Sequence, residues 1–223
     1  MMFLPHALAI PEDHAEDYAT TVLTGGKGTV HLDPMVTLSV VAGATTHLGL
    51  GATMSTTFLP AYPIARTTLS LDHLSGGRVA WNFSPSTTEA EARNFDLGAI
   101  PGEEERYGHA DQVVQTVLEV WESWAPDALT LDAEARQFAN PTRAGRIPVR
   151  DDRPPLSRGP ITLPRSGQRQ PVLIRAGVSE RGKSFAARWA EVVFADRLPR
   201  ERRGVRATSP RRRTCPSRRP PTT

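Results

Sequence analysis

A helix that ends at two glycines and leads straight into an apolar run restricts most strongly how this chain can fold. The helix is predicted over Tyr62 to Leu74, and Gly76 and Gly77 follow it, where glycine can take the left-handed backbone that ends a helix. Apolar runs predict a strand on each side, over His47 to Thr56 and over Arg78 to Ser84. Strand, helix and strand in this order form a unit whose two strands run parallel.

The same alternation continues along most of the chain. Further apolar runs predict strands over Phe3 to Ile10, Gln170 to Gly177 and Glu191 to Ala195. Amphipathic or capped stretches predict helices over Pro34 to Thr45, Glu104 to Trp124 and Ser179 to Ala190. Repeated βα units of this kind predict an α/β fold built around a parallel sheet.

Composition and length are those of an ordinary globular domain. The 223 residues are 39% hydrophobic, which is enough to bury one sizeable core. No apolar run is long enough to span a bilayer, and the first residues lack the basic segment of a secretion signal, so we expect a cytoplasmic protein. The single cysteine, Cys215, excludes an internal disulfide and a thiolate metal cluster, and the six histidines show no metal-ligand spacing. We therefore expect no metal site.

Two segments interrupt the βα pattern. From about Pro126 to Arg169 the sequence has no regular period, and we interpret it as an insertion between βα units, for which an active-site lid is the usual role. The tract Asp196 to Thr223 contains ten arginines and no apolar periodicity, so we expect disorder there. This tract resembles a gene read out of frame, and an arginine-rich arm for nucleic acid is the less favoured alternative. We expect a folded region over residues 1–195 and a basic tail over 196–223.

Five segments, taken together and in order, carry a resemblance to a known family. They are LGLGATMSTT at 48–57, ARTTLSLDHLSGGRVAWN at 65–82, EARNF at 91–95, ERYGHADQVVQTVLEVWESW at 105–124 and RAGVSERGKSFAARWAEVVFA at 175–195. The chain resembles the bacterial luciferase-like, FMN-dependent monooxygenases. Within them it is similar to the subfamily of nitrilotriacetate monooxygenase component A, pristinamycin synthase and long-chain alkane monooxygenase.

The resemblance implies a fold, a cofactor and partners. The fold is a TIM-like (β/α)8 barrel, of which this chain would contain about strands two to six, with FMN at the carboxyl ends of the strands. Reduced FMN would come from a separate flavin reductase, and O2 would oxygenate a small organic substrate. The family also implies a homo-oligomer without membrane or nucleic-acid partners. The alternative is a truncated, non-catalytic remnant or a partner subunit of such an enzyme.

The resemblance also implies five cofactor-binding residues. Thr53 and Ser86 match residues that contact the flavin, Asn82 lies in the same strand-end segment as Ser86, and Tyr107 matches a tyrosine near the phosphate or ribityl chain. Ser179 begins a helix whose free N–H groups suit a phosphate. Four of them also have a structural interpretation: Thr53 bonded to a nearby carbonyl, Asn82 capping a loop, Tyr107 packed under a helix and Ser179 as an ordinary cap. No nucleophile, acid and base stand out, because the cofactor would supply the chemistry.

Three positions depart from the family pattern. Pro85 replaces a threonine in WNFSPST, which changes the loop before Ser86. Glu103 replaces a histidine in EEERY, and a carboxylate near a phosphate is repulsive, which should weaken binding. His6 stands in FLPH where the family has an aspartate that contacts the flavin, and we interpret it as having no role.

Asp72 and His73, in LDHLSGGR, could be mistaken for a catalytic pair. Adjacent residues of a helix point in different directions, so the two side chains cannot form a dyad. We expect instead that they pair structurally with Arg66 or Arg78.

Overall fold

A computed structural model describes residues 1–12, 18–25, 30–149, 155–177 and 179–194 of the chain. The predicted disorder of the basic tail lies outside these residues. The strands are β1 Met2–Leu4, β2 Leu50–Ser55, β3 Val79–Ser84, β4 Leu129–Asp132, β5 Gln137–Ala139, β6 Val172–Ala176 and β7 Val192–Phe194. Five of them form one parallel sheet in the order β1-β2-β3-β6-β7, and β4 and β5 form an antiparallel hairpin. The five predicted strands are therefore confirmed as one parallel sheet. The first is shorter than expected because Pro5 has no N–H to continue the ladder.

Helices follow or precede each of the inner strands. They are α1 Tyr18–Thr24, α2 Pro34–Ala44, α3 Ala61–Ser75, α4 Glu89–Asn94, α5 Glu103–Trp121 and α6 Glu180–Trp189. Their ends follow the predicted signals. The Asp33 carboxylate accepts hydrogen bonds from the first N–H groups of α2, and Gly76, with φ of +68°, ends α3 in the left-handed conformation.

The sheet is strongly curled. In a flat sheet its two edge strands, β1 and β7, would stand about 19 Å apart, since neighbouring strands are about 4.8 Å apart. The rings of Phe3 on β1 and Phe194 on β7 nevertheless stack with their centroids 6.1 Å apart. Gly51 makes room for this contact, because a Cβ atom there would lie 2.9 Å from the Phe3 ring. The five strands thus follow the arc of a barrel wall whose inner face carries both rings.

The hydrophobic core lies between the outer face of this arc and the helices. Trp81 of β3 and Trp121 of α5 meet edge to face, with centroids 6.1 Å apart, and both are fully buried. The Trp121 indole N–H donates to the Ala65 carbonyl of α3 at 2.9 Å, so α3 and α5 are held in register. Around them pack buried side chains of the same strands and helices, among them Leu50, Ile64, Leu69, Val79, Phe83, Val113, Val114 and Val117.

Asp72 and Arg78 have structural roles, as expected, but with different partners. The buried Asp72 carboxylate accepts from the Val79 N–H at 3.0 Å and from the hydroxyl of Ser166. The Arg78 guanidinium donates to backbone carbonyls at the end of α2 and after it, including Thr45 at 2.7 Å. The predicted ion pair between Asp72 and an arginine is wrong. Asp72 instead accepts hydrogen bonds from a backbone N–H and a hydroxyl group, and Arg78 donates to backbone carbonyls.

The segment between α5 and β6 contains the β4–β5 hairpin, which its sequence did not predict. Its described residues contact the barrel at the amino edge of the sheet. Gln168 donates to the Val79 carbonyl at 2.9 Å, and the His73 ring lies 2.9 Å from the Pro164 carbonyl. Ile161 is buried in the same region. These contacts lie opposite the carboxyl edge, so the expectation of a lid is wrong for the described part of the segment.

Candidate functional site

A chain of hydrogen bonds joins three neighbouring strands at the carboxyl edge of the sheet. The Asn82 amide of β3 donates to the Thr53 hydroxyl of β2 at 3.0 Å. Its carbonyl oxygen accepts from the Ala176 N–H of β6 at 3.3 Å. The Thr53 hydroxyl therefore meets a side-chain amide rather than a backbone carbonyl, and Asn82 bridges two strands rather than capping a loop. Polar groups at adjacent strand ends of a parallel sheet form the usual site for a ligand in this class of fold.

Ser86 lies two residues beyond the end of β3, and its side chain points back towards β2. Its hydroxyl donates to the Ser55 hydroxyl at 2.9 Å, and the Ser55 oxygen in turn accepts from the N–H groups of Thr57 and Phe58. The φ angle of Ser86 is +30°, an unfavourable value for a residue with a side chain. The loop that follows Pro85 thus holds Ser86 in a strained conformation, and such conformations concentrate at functional sites.

An open pocket of about 170 Å³ lies at this edge of the sheet. Its walls carry the hydroxyl groups just described together with two titratable side chains, and the lining residues are His6, Leu8, Thr53, Ser55, Ser84, Ser86, Thr87, Thr88 and Glu91. Pockets that enclose a cofactor or a drug-sized ligand typically measure about 300–1,000 Å³. The described residues therefore provide one wall of such a site rather than its full enclosure.

His6 lies in the wall of this pocket. Its Nδ1 is buried without a hydrogen-bond partner among the described residues, and its Nε2 lies 3.8 Å from the Asp33 carboxylate. Burial lowers the pKa of His6, and the negative charges of Asp33 and Glu91 oppose this effect only in part. The imidazole is consequently neutral at pH 7. The sequence pattern placed His6 where the family has a flavin-contacting aspartate, but it did not identify the residues that surround His6 in space, because they are remote along the chain.

The start of α6 forms the second part of the site. The Ser179 hydroxyl accepts from the Gly182 N–H at 3.0 Å and so caps the helix. A Cβ atom built on Gly182 would lie 3.0 Å from both the Ser179 hydroxyl oxygen and the Tyr107 hydroxyl oxygen. Glycine at this position therefore lets the Tyr107 hydroxyl approach the first turn of the helix. Free N–H groups at a helix start favour an anion.

Tyr107 brings two arginines to this helix start. Its buried ring packs edge to face on Phe185 at 5.2 Å, and the Arg181 guanidinium lies over it at 4.7 Å. The Tyr107 hydroxyl accepts from the Arg175 guanidinium at 3.4 Å. Arg181 pairs with carboxylates of α5, whereas the Nε of Arg175 has no partner among the described residues. Tyr107 therefore has the expected packing role through its ring and a polar role through its hydroxyl group.

The five predicted site residues lie along one edge of the sheet. Thr53, Asn82 and Ser86 occupy the ends of β2 and β3, whereas Tyr107 and Ser179 flank the start of α6. Ala176, whose N–H donates to Asn82, ends β6 and so connects the polar strand ends to the start of α6. Glu103, which departs from the family pattern, is exposed in the first turn of α5.

Arg175 was missed by the sequence analysis. The arginine in the otherwise apolar run QPVLIRAG was a usable signal, because arginine is rarely buried in a strand without a partner.

The residues at the start of α6 fit the phosphate of a flavin mononucleotide. A buried guanidinium beside Gly177, a tyrosine hydroxyl beside Gly182 and a capped helix start come together here, and the guanidinium Nε has no partner among the described residues. These groups donate hydrogen bonds or carry positive charge, as an anionic group requires. Among the described residues, no three His, Cys, Asp or Glu side chains are grouped to hold a metal ion. Nor is any described helix long and apolar enough to cross a bilayer.

Comparison with known proteins agrees with this geometry. The luciferase-like monooxygenase family matches residues 6–215. The dibenzothiophene-sulfone monooxygenase of Rhodococcus erythropolis is 43% identical over 195 residues, which are 87% of this chain and 43% of that protein.

Two solved structures resemble the fold. One is a long-chain alkane monooxygenase, which is 34% identical and matches with a TM-score of 0.80. The match covers 86% of this chain and 44% of the alkane monooxygenase chain. The other is a riboflavin lyase with modified FMN and riboflavin, which is 35% identical and matches with a TM-score of 0.78. The match covers 88% of this chain and 44% of the lyase chain. The chain thus spans less than half the length of these relatives. It belongs to the luciferase-like monooxygenase family.

Proposed function

We propose that this chain forms the FMN-binding wall of a reduced-flavin-dependent monooxygenase that oxygenates a small organic substrate in the cytoplasm. A separate flavin reductase is the proposed partner, and a homo-oligomer is the proposed assembly. The observation that carries the proposal is the grouping of Tyr107 and Ser179 at the start of α6, on the same edge of the sheet as the polar ends of β2 and β3. Family membership supports the same reaction class.

In this proposal each part of the edge has its own task. The start of α6, with Tyr107 and Ser179, holds the phosphate of FMN by hydrogen bonds and positive potential. Thr53, Asn82 and Ser86 orient the ring system by the hydroxyl and amide groups at the strand ends. When bound, reduced FMN would supply the electrons with which O2 is activated.

His6 and the apolar inner face have a second task in this proposal. The neutral His6 imidazole can accept or donate a hydrogen bond at the pocket wall without adding charge. The stacked rings of Phe3 and Phe194 cover part of the inner face with apolar surface. Such a surface excludes water and strengthens the polar contacts beside it.

The alternative is that the chain is a non-catalytic remnant or a partner subunit. The size and openness of the pocket favour it, since about 170 Å³ is below the usual range for an enclosed ligand. In that case FMN could be held without turnover, because further barrel strands would be needed to close the site.

One experiment separates the two. The purified full chain is supplied with FMN, a flavin reductase, NADH and O2, and both FMN retained on gel filtration and oxygenated product are measured. Dibenzothiophene sulfone is the first substrate to test, given the 43% identity to a monooxygenase named for it. Retention of FMN with O2-dependent product supports the monooxygenase, and retention without product from a panel of sulfones and alkanes supports the subunit. A chain that retains no FMN contradicts the proposal.

A further inference from the structure

We propose that Arg175 is the cationic residue that binds the flavin phosphate, and that it makes the site select phosphorylated flavin over neutral riboflavin. This inference rests on the proposed FMN site and extends it to a residue that neither the family motifs nor the sequence analysis assigned. It starts from a buried charge that has no counter-ion among the described residues.

Arg175 is in an unusual environment for a guanidinium. Only 7% of its surface is exposed, and it extends from β6 into the layer between the sheet and the helices, 6.0 Å from the centre of the Phe185 ring. Arginine stays charged at neutral pH, and a charge in the protein interior is costly unless it is paired. Burial lowers the pKa of Arg175 from the ordinary arginine value, and Tyr107 opposes this effect.

No described side chain compensates this charge. Within the described part of the chain, the Nε of Arg175 has no hydrogen-bond partner, and Nη2 donates to the uncharged Tyr107 hydroxyl at 3.4 Å. The contrast with Arg181, whose guanidinium lies over the Tyr107 ring, is informative. Arg181 forms ion pairs with Glu104 at 3.3 Å and Asp111 at 3.5 Å. Among the described residues, the partly exposed arginine thus has acidic partners and the buried one has none.

The guanidinium of Arg175 is directed at the start of α6. A Cβ atom built on Gly177 would lie 3.5 Å from its Nη2 and 3.6 Å from the Cα of Gly182. The same small space is bordered by the hydroxyl groups of Tyr107 and Ser179, each 3.0 Å from the position of a Cβ on Gly182. The absence of a side chain at Gly182 therefore lets both hydroxyl groups approach the helix start, and Gly177 lies between that start and the guanidinium.

These groups together specify a dianionic ligand group. A guanidinium offers several N–H donors in one plane, which match the oxygens of a phosphate. The N–H groups at the start of α6 offer further donors with the same preference for negative charge. A neutral hydroxymethyl end, as in riboflavin, would leave the Arg175 charge unpaired. The affinity ratio between FMN and riboflavin therefore measures the contribution of Arg175.

The test compares the dissociation constants of FMN and riboflavin, by flavin fluorescence, for the full chain and for Arg175→Gln and Arg175→Lys. Loss of charge-assisted hydrogen bonds should weaken FMN about 10- to 100-fold in Arg175→Gln and leave riboflavin unchanged. Arg175→Lys, which keeps the charge but not the planar fork, should recover part of the loss. Arg66→Gln removes one charge from an exposed site on α3 and should change neither constant.

Equal weakening of FMN and riboflavin in Arg175→Gln would overturn the proposal, because it would indicate a structural role. Unchanged FMN affinity would overturn it as well. If Arg175→Gln does not fold, the FMN-to-riboflavin ratio of Arg175→Lys decides, and a ratio equal to that of the unmodified chain counts against the proposal.

A second readout separates this inference from the proposed function. Inorganic phosphate at millimolar concentration should raise the Tm of the unmodified chain and of Arg66→Gln but not that of Arg175→Gln. If no flavin binds but this phosphate effect is present, the flavin proposal fails and the anion role of Arg175 stands. If neither flavin nor phosphate binds to the unmodified chain, the role of Arg175 is refuted.

Discussion

At the scale of single residues, the start of α6 depends on Gly182. Alanine normally stabilises a helix relative to glycine by about 0.5–1 kcal/mol. A Cβ atom on Gly182, however, would press on the Ser179 and Tyr107 hydroxyl oxygens at 3.0 Å. Gly182→Ala should therefore gain no stability in urea unfolding and should weaken FMN binding about tenfold, because the Tyr107 hydroxyl is displaced.

Gly108 provides the matched control for this substitution. It lies in the exposed face of α5, and a Cβ atom there would meet nothing within 4 Å. Gly108→Ala should raise the free energy of unfolding by about 0.5–1 kcal/mol and leave FMN binding unchanged. A Gly182→Ala protein that gains as much stability as Gly108→Ala would show that the close approach at α6 is absent.

His6 makes stability depend on pH. Because its pKa is lowered in the folded protein, the unfolded chain takes up the proton first as the pH falls through the ordinary value of about 6.5. The stability contributed by neutral His6 is therefore complete above pH 6.5 and is lost as the pH falls towards its lowered folded pKa. Asp33 and Glu91, which face it, reduce the loss.

The measurement is urea unfolding at pH 7.5 and at pH 5.5. His6→Gln should lose less stability over this interval than the unmodified chain, whereas His47→Gln, at an exposed position, should behave like the unmodified chain. An equal loss in all three proteins would contradict the burial of a neutral His6.

At the scale of elements, Arg78 fastens the end of α2 to the start of β3. Its guanidinium donates to the carbonyls of Ala42 at 2.9 Å, Thr45 at 2.7 Å and Leu48 at 2.7 Å. A cation at a helix end also matches the negative end of the helix dipole. Arg78→Met should lower the free energy of unfolding by about 2–4 kcal/mol, since the carbonyls lose charged hydrogen bonds.

Urea unfolding of Arg78→Met beside Arg66→Met tests this role of Arg78. Arg66 is exposed on α3, and its replacement should change stability by less than about 0.5 kcal/mol. Equal stability of the two variants would show that the carbonyl contacts of Arg78 contribute nothing.

The elements that the sequence predicted are those with a strong local signal. α2 has the Asp33 cap, α3 has the Gly76 end, and the inner strands are continuous apolar runs. α4 was missed because it has only six residues, although Thr88 followed by Glu91 is a recognisable capping pair. The β4–β5 hairpin was missed because its turn lacks the glycine that usually marks a hairpin in a sequence. The positive φ angles of this segment are instead those of Leu131 and Arg136.

The sequence predicted only those parts of the candidate site that lie next to the end or start of a predicted helix or strand. Thr53, Asn82 and Ser179 lie directly at the ends or starts of predicted elements, so their position at the carboxyl edge followed from the parallel sheet. The roles proposed for Arg175 and His6 depend on contacts with residues 27 or more positions away, such as Tyr107 and Asp33. Contacts of that kind arise from tertiary packing, and the local sequence does not identify the partners.

At the scale of the whole molecule, the described strands form an arc rather than a closed barrel. The edge strands β1 and β7 touch through Phe3 and Phe194, yet Phe194 remains 55% exposed. The chain spans less than half the length of its relatives. The central claim is accordingly limited to one wall of a flavin site, held by the strand ends and the start of α6.

FMN binding by the full chain tests that claim most directly. Titration of FMN followed by flavin fluorescence should give saturable binding with one FMN per chain. Tyr107→Phe and Ser179→Ala should each weaken it about tenfold, as expected for one hydrogen bond of about 1.4 kcal/mol. The matched controls Tyr62→Phe and Ser70→Ala, both on α3, should bind FMN like the unmodified chain. Absence of saturable binding, or equal affinity in all five proteins, would contradict the account.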